Sequence, residues 1–367
     1  MFGRALLLGL WITAAACAGG PPKMWPSPIR RSSPSRATTA RGAQDAIVFV
    51  SERTGQPQVF VRRLGGSSAE QLTRFDGSAF AGPVGPNGDL LVITSVGHDE
   101  AAREQLHLLS AEGLMPLGAQ RRFVRNPVWL PDGSAVIYEA DEGGFRNLMM
   151  HTFDGTADEQ LTECEHGCFE PAPSPDGQRV AFASPDPGDG EVFVLELKDR
   201  HVQRLTWSPG MDRQPVWSPD GRQLAFVSNR RGRPRIFVMN ADGSTPRALR
   251  TATDTELVAE SDPSFSPDGR LLTFVTQREG RSNIVVTRVA DGVVVGATEG
   301  PAFEQRPSFS PDGERVVFSS NRDDGDQDVY SMAIDGTGLR RLTQHGSADW
   351  LPRWHPSTKR LSYTSLH

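Results

Sequence analysis

One proline returns along this chain at a nearly fixed step. It stands at Pro83, Pro127, Pro171, Pro215, Pro263, Pro307 and Pro352, at intervals of 44, 44, 44, 48, 44 and 45 residues. A period of this size marks a repeat architecture, in which each unit buries its faces against its neighbours. The unit at Pro215 reads PVWSPDGRQLAFVSNRRGRPRIFVMNADGSTPRAL, and at Pro307 it reads PSFSPDGERVVFSSNRDDGDQDVYSMAIDGTGLRRLT. Each unit parses into four short strands. The first ends at a Pro-Asp-Gly turn, where Pro presets φ, Asp bonds the local backbone and Gly accepts positive φ. The second is an apolar run such as Leu224-Ala225-Phe226-Val227. Its continuous hydrophobicity means that both faces are covered. The third resembles Ile236-Phe237-Val238-Met239 and ends at a hairpin turn such as Asp242-Gly243. The fourth is short and often ends in Leu-Thr, as at Leu72-Thr73, Leu161-Thr162, Leu205-Thr206 and Leu342-Thr343. Four strands in each period of this length, repeated radially, predict an all-β chain forming a seven-bladed β-propeller.

The two chain ends are expected to share the closing blade, which removes the open edge. The C-terminal side offers Arg353-Trp354-His355 and Arg360-Leu361-Ser362-Tyr363-Thr364; the N-terminal side offers Gln58-Val59-Phe60-Val61 and Gln71-Leu72-Thr73. Ile47-Val48-Phe49-Val50-Ser51 also reads as a second strand. That makes one second strand too many for seven blades, and an incomplete eighth blade is the alternative.

SPDG, an apolar strand, Ser-Asn-Arg, Ile-Phe-Val, Asp-Gly and Leu-Thr, in that order, resemble the WD40-like repeats of the TolB family. The resemblance covers residues 45–367. It implies the propeller fold, which serves scaffolds and peptidase lids alike. TolB proteins carry a further domain before the propeller, on which their link to the inner-membrane Tol partners depends. Here 44 residues precede the propeller, so the resemblance implies TolB-like binding without implying a place in the Tol system.

Those residues read as targeting and tether. Residues 1–16 hold Arg4 and an apolar stretch from Ala5 to Ala16, too short to span a bilayer and suited to an export signal. Ala14-Ala15-Ala16 fits an ordinary signal-peptidase site. Together with Cys17 it also resembles a bacterial lipobox, in which Cys17 becomes the lipidated N-terminus. Ala18 follows, which implies sorting to the periplasmic face of the outer membrane; a soluble periplasmic or secreted protein is the alternative. Residues 17–44 continue as a Pro-, Ser- and Arg-rich tether without apolar periodicity.

The net charge of −6 excludes the basic excess of a nucleic-acid binder. It is unevenly placed. The tether holds Lys23, Arg30, Arg31, Arg36 and Arg41 and no acid, whereas residues 45–367 hold 33 basic against 45 acidic residues, a charge of −12. A basic leash therefore carries an acidic disc, and a monomer is expected.

Three residues before the repeat proline stand Asp212, Glu260, Glu304 and Asp349. In equivalent blades they form a candidate channel mouth for a divalent cation or a basic peptide. The competing reading is a bond closing a loop within each blade. Arg213, Arg306 and Arg353 lie near them in sequence. Cys164-Glu165-His166-Gly167-Cys168 permits a Zn²⁺ site, but an oxidising compartment favours a Cys164–Cys168 disulfide. Asp324, Asp326 and Asp328 alternate at a hairpin tip and offer a candidate Ca²⁺ site, against a solvated turn. Arg53, Arg230, Arg278 and Arg322 recur after the second strand, where they are expected to tie neighbouring blades. Trp129, Trp217, Phe265, Phe309 and Trp354 recur two residues after the proline and are assigned to core packing.

The sequence contains no G-x-S-x-G elbow, H-E-x-x-H, P-loop or dinucleotide fingerprint. The expected function is a noncatalytic envelope platform for a protein or peptide. A metal-dependent carbohydrate-active enzyme and an envelope ligand sensor are the alternatives.

Overall fold

The computed structural model describes residues 46–355, except 98–101, 143, 155–156, 187 and 250–257. They form 28 β-strands in seven four-stranded antiparallel sheets. The signal segment, Cys17, the tether and the strand expected at 360–364 lie outside the described residues.

Seven strands contain the repeat proline: β4 (Ser78–Val84), β8 (Val124–Trp129), β12 (Phe169–Pro173), β16 (Asp212–Trp217), β20 (Ala259–Phe265), β24 (Glu304–Phe309) and β28 (Asp349–His355). Each touches the next in this order, and β28 returns to β4. They are therefore the inner ring around a central channel. In the first six blades the three following strands complete the sheet outward. The seventh runs β28, β1 (Ala46–Ser51), β2 (Gln58–Arg63), β3 (Ala69–Gln71). Closure thus takes one strand from the C-terminal side and three from the N-terminal side. Ile47–Ser51 belongs to the second strand of that blade, and the blades among the described residues number seven.

The motif residues each close a local gap. In SPDG the serine hydroxyl accepts the N–H of the residue five places on, at 2.9 Å for Gln223 to Ser218 and for Leu271 to Ser266. It donates to the aspartate at 2.6 Å in Ser218–Asp220 and Ser266–Asp268. The Ser218 hydrogen bond holds the exposed Asp220 carboxyl below the usual carboxylate range. Gly221 turns the chain at φ 69°, where a side chain would be strained. In Leu-Thr, the threonine hydroxyl accepts the N–H near the start of the third strand, at 2.9 Å for Val59 to Thr73, Val192 to Thr206 and Val329 to Thr343. It pins the short fourth strand where backbone pairing ends.

The aromatic after the proline does more than fill the core. Trp129 Nε1 donates to Pro83 O at 3.1 Å, Trp217 to Ala172 O at 2.9 Å and Trp354 to Ser308 O at 3.1 Å. Each acceptor belongs to the inner strand of the preceding blade, so these indoles staple neighbours together. Phe265 and Phe309 are buried at the same place but carry no donor. Trp217→Phe is expected to keep the packing and lose the staple. The cost should be about 1 kcal/mol, read as a lower urea midpoint. An unchanged midpoint would show that the indole N–H contributes nothing.

Candidate functional site

The inner strands cannot pair evenly with their neighbours, because the repeat proline has no N–H to offer. In all seven blades the pairing of first and second strand shifts register around it. In β16, Arg213 faces Val227 and the next pair is Val216 with Ala225, leaving Gln214 and Pro215 in a bulge. The residue before the proline takes the left-handed conformation in six blades: Asn126 (φ 46°), Glu170 (57°), Gln214 (54°), Asp262 (54°), Arg306 (58°) and Leu351 (51°). Gly82 holds this place in the first blade. Each left-handed L-residue costs roughly 1–2 kcal/mol, so the ring needs compensation.

Side chains of the ring supply it. Glu139, on the strand Ala135–Glu142 of the second blade, accepts from Asn126 Nδ2 and from the Glu170 N–H, both at 2.6 Å. Glu170 accepts the N–H of Gln214 at 2.6 Å. Gln214 accepts the N–H of Asp262 at 2.9 Å and donates Nε2 to its carboxylate at 3.1 Å. Arg306 is attracted electrostatically to both Asp262 and Glu170. The bulge N–H groups of Glu170, Gln214 and Asp262 are thus each met by a side chain of the preceding blade. Burial pushes the Glu170 carboxyl up to about 7, against the N–H of Gln214 and the charge of Arg213, which pull it down. Burial also raises Glu139 and lowers Arg306.

One residue earlier, a second ring is partly exposed: Arg125, Phe169, Arg213, Ser261, Gln305 and Trp350, with the buried Ala81 in the first blade. Two guanidinium groups, two aromatic rings, an amide and a hydroxyl at one level suit a polar ligand with an apolar part. Arg125 is already paired with Glu104.

The carboxylates three places before the proline are not part of that surface. Asp212, Glu260, Glu304 and Asp349 are at most 2% exposed. Asp349 takes Arg53 in two hydrogen bonds at 2.9 and 2.8 Å, Asp212 takes Arg230 at 2.6 Å, and Glu304 takes Arg322. Each of these arginines also donates to the serine ending the second strand: Ser51, Ser228 or Ser320. The result is a carboxylate–arginine–serine triad inside one blade. These arginines therefore join two strands of the same blade, not neighbouring blades as expected. Arg278 departs from the pattern: it is exposed beside Glu279. Glu260 instead takes Arg235 at 3.0 Å and the N–H of Ile236 at 2.8 Å, both from the preceding blade.

The hairpin-tip aspartates are likewise committed. Asp328 is buried and takes Arg341 and the Thr343 hydroxyl; Asp324 also takes Arg341, and Asp326 is exposed. Two of the three candidate ligands, Asp324 and Asp328, therefore meet at the Arg341 guanidinium. Cys164 and Cys168 are joined as a disulfide with a Cα separation of 5.8 Å. Among the described residues no three His, Cys, Asp or Glu side chains are placed to hold a metal ion.

The profile of the TolB beta propeller domain matches residues 157–261 and 254–367. Together these take in more than half of the chain. A 152-residue stretch, 41% of this chain, is 28% identical to "Protein TolB homolog" of Chlorobium luteolum and covers 34% of it. A 94-residue stretch, 26% of this chain, is 31% identical to "Tol-Pal system protein TolB" of Anaeromyxobacter dehalogenans and covers 21% of it. The matches thus span about a third or less of these curated relatives. Among solved structures, TolB from Acinetobacter baumannii aligns at TM-score 0.54 and 20% identity, over 85% of this chain and 67% of that one. A puromycin-hydrolyzing peptidase of Mycobacterium tuberculosis aligns at TM-score 0.61 and 20% identity, over 89% and 57%. An oligogalacturonate lyase of Vibrio parahaemolyticus aligns at TM-score 0.57 and 13% identity, over 83% and 87%. At such identities the likeness shows the fold alone. The sequence profile, the seven blades and their motif bonds together make this chain a member of the TolB beta propeller domain family.

Proposed function

We propose that the chain is a noncatalytic binding platform of the cell envelope, holding a protein or peptide at the channel face. The observation that carries this reading is the partly exposed ring containing Phe169, Arg213, Gln305 and Trp350, set on a girdle of interlocked polar side chains. A rigid ring presenting cationic, amide and aromatic groups suits recognition of a polar chain with apolar anchors. The family supports the class, since a relative named for the Tol-Pal system matches part of the chain. The buried triads serve this surface indirectly, by fixing the inner strands that carry it.

Attachment to the membrane through Cys17 belongs to the same proposal, with the basic tether adding attraction to anionic lipid. The test is a cross-linked pull-down from envelope extract with wild type, Arg213→Glu and Arg278→Glu. A partner captured by wild type and by Arg278→Glu, and lost with Arg213→Glu, is the expected result. Capture indifferent to Arg213 would refute the channel face, and turnover of an oligosaccharide panel by purified protein would replace the platform with an enzyme. Cys17→Ala should move the protein from the membrane to the soluble fraction. Retention in the membrane would contradict lipid anchoring.

A further inference from the structure

A crevice between the second and third blades, away from the inner ring, encloses a cavity of about 1140 Å³. Phe182 and Phe193 line it as a stacked pair with centroids 5.5 Å apart, and Leu161 lies beside them. Val202, on the outer strand Val202–Arg204, adds an apolar wall and is 43% exposed. Phe182, Phe193 and Leu161 are buried in the core, so the apolar surface open to a ligand is chiefly Val202 with the edge of Phe193.

Its rim is acidic. Glu163 and Glu165 flank Cys164 on the loop that the Cys164–Cys168 disulfide closes. Both are exposed, and among the described residues neither carboxylate has a hydrogen-bond or ion-pair partner. Asp186 stands on the opposite lip and accepts the His166 N–H at 2.8 Å. The His166 ring is engaged by the same carboxylate. Arg200 is the basic residue of the lining and is already paired with Glu159. Two uncommitted carboxylates thus face solvent above an apolar floor. The volume exceeds what one ion or one side chain fills, and matches a short chain segment.

We propose that this crevice binds a short basic peptide segment. An apolar side chain of the segment lies against Phe193 and Val202, while flanking lysines or arginines meet Glu163 and Glu165. Charge complementarity selects the occupant: an acidic or purely apolar segment leaves both rim carboxylates without counter-charge. The disulfide holds the two carboxylates at a fixed place over the floor. This site is separate from the channel face and stands or falls independently of it.

The experiment titrates the full chain into a fluorescein-labelled Lys-Leu-Lys-Phe-Lys peptide and follows anisotropy. Saturable binding is expected, with about a tenfold loss in Glu163→Lys/Glu165→Lys and a similar loss in Val202→Asp. All three residues are exposed, so these variants should fold; circular dichroism checks this. The counterpart Glu-Leu-Glu-Phe-Glu should not bind. Binding that survives Val202→Asp would be general attraction to the acidic disc and would overturn the proposal. So would absence of binding, or self-association of the chain that Glu163→Lys/Glu165→Lys abolishes without any uptake of peptide.

Discussion

Asp349→Ala should destabilise the protein by about 3 kcal/mol, seen as a lower urea midpoint, and should make the closing blade the first site of proteolysis. Asp349 is fully buried and holds Arg53 in two hydrogen bonds, with the guanidinium over the Phe60 ring at 4.7 Å. Deleting the carboxylate leaves a largely buried cation without its partner, which costs more than the net worth of the pair. The position matters as much as the pair. Arg53 and Asp349 lie 296 residues apart, and their contact joins the two ends of the described chain. Opening the same triad at Asp212–Arg230, 18 residues apart, leaves the blade tethered by its own connection. Opening it at Asp349 frees β28 from β1, exposing two strand edges at once. Asp212→Ala should therefore give a comparable equilibrium loss but less local proteolysis. Equal cleavage patterns in the two variants would show that closure is not the weak point. An Asp349→Ala midpoint within error of wild type would show that the triad does not stabilise the ring.

The blade number was legible because the repeat proline marks the inner strand in every blade. The closing blade was harder. Ile47–Ser51 and residues 360–364 both have second-strand character, and composition does not say which one meets Pro352. The pairing of Ala46 with His355 and Ser51 with Asp349 decides it. The carboxylates three places before the proline were visible, as were the arginines after the second strand. Their partnership was not, because it depends on register: Asp212 lies directly opposite Ser228, two residues before Arg230. The aspartates at 324, 326 and 328 formed a visible cluster, but Arg341, which holds Asp324 and Asp328, comes from a different strand. The polar positions before the proline were not read as a ring, and of their members only Arg306 was singled out. The signal was present: Asn126, Glu170, Gln214, Asp262 and Arg306 are polar where the adjoining strand is apolar. A residue before proline is ordinarily steered to extended backbone, so nothing local announces a left-handed one.

That ring should write itself into the pH dependence of stability, through Glu170. Its carboxyl is pushed up to about 7 by burial, whereas the unfolded chain leaves it at the ordinary value of 4.5. Between these values the folded protein binds more protons than the unfolded chain, so stability falls as pH rises. Below about pH 4.5 the group is protonated in both states and carries no penalty. Well above pH 7 it is ionised in both, and the penalty is complete at about 3 kcal/mol. Glu170→Gln keeps an acceptor for the N–H of Gln214 and removes the charge. The variant should be more stable than wild type at pH 8, about equal to it at pH 4.5, and the difference should grow across that interval. Urea midpoints at several pH values test this, with wild type and variant compared pairwise so that other groups cancel. Arg213 and Arg306 oppose the effect, since both favour the ionised form. A variant that is less stable at pH 8 would mean that their attraction outweighs burial, and that the channel girdle is held by charge instead of being strained by it.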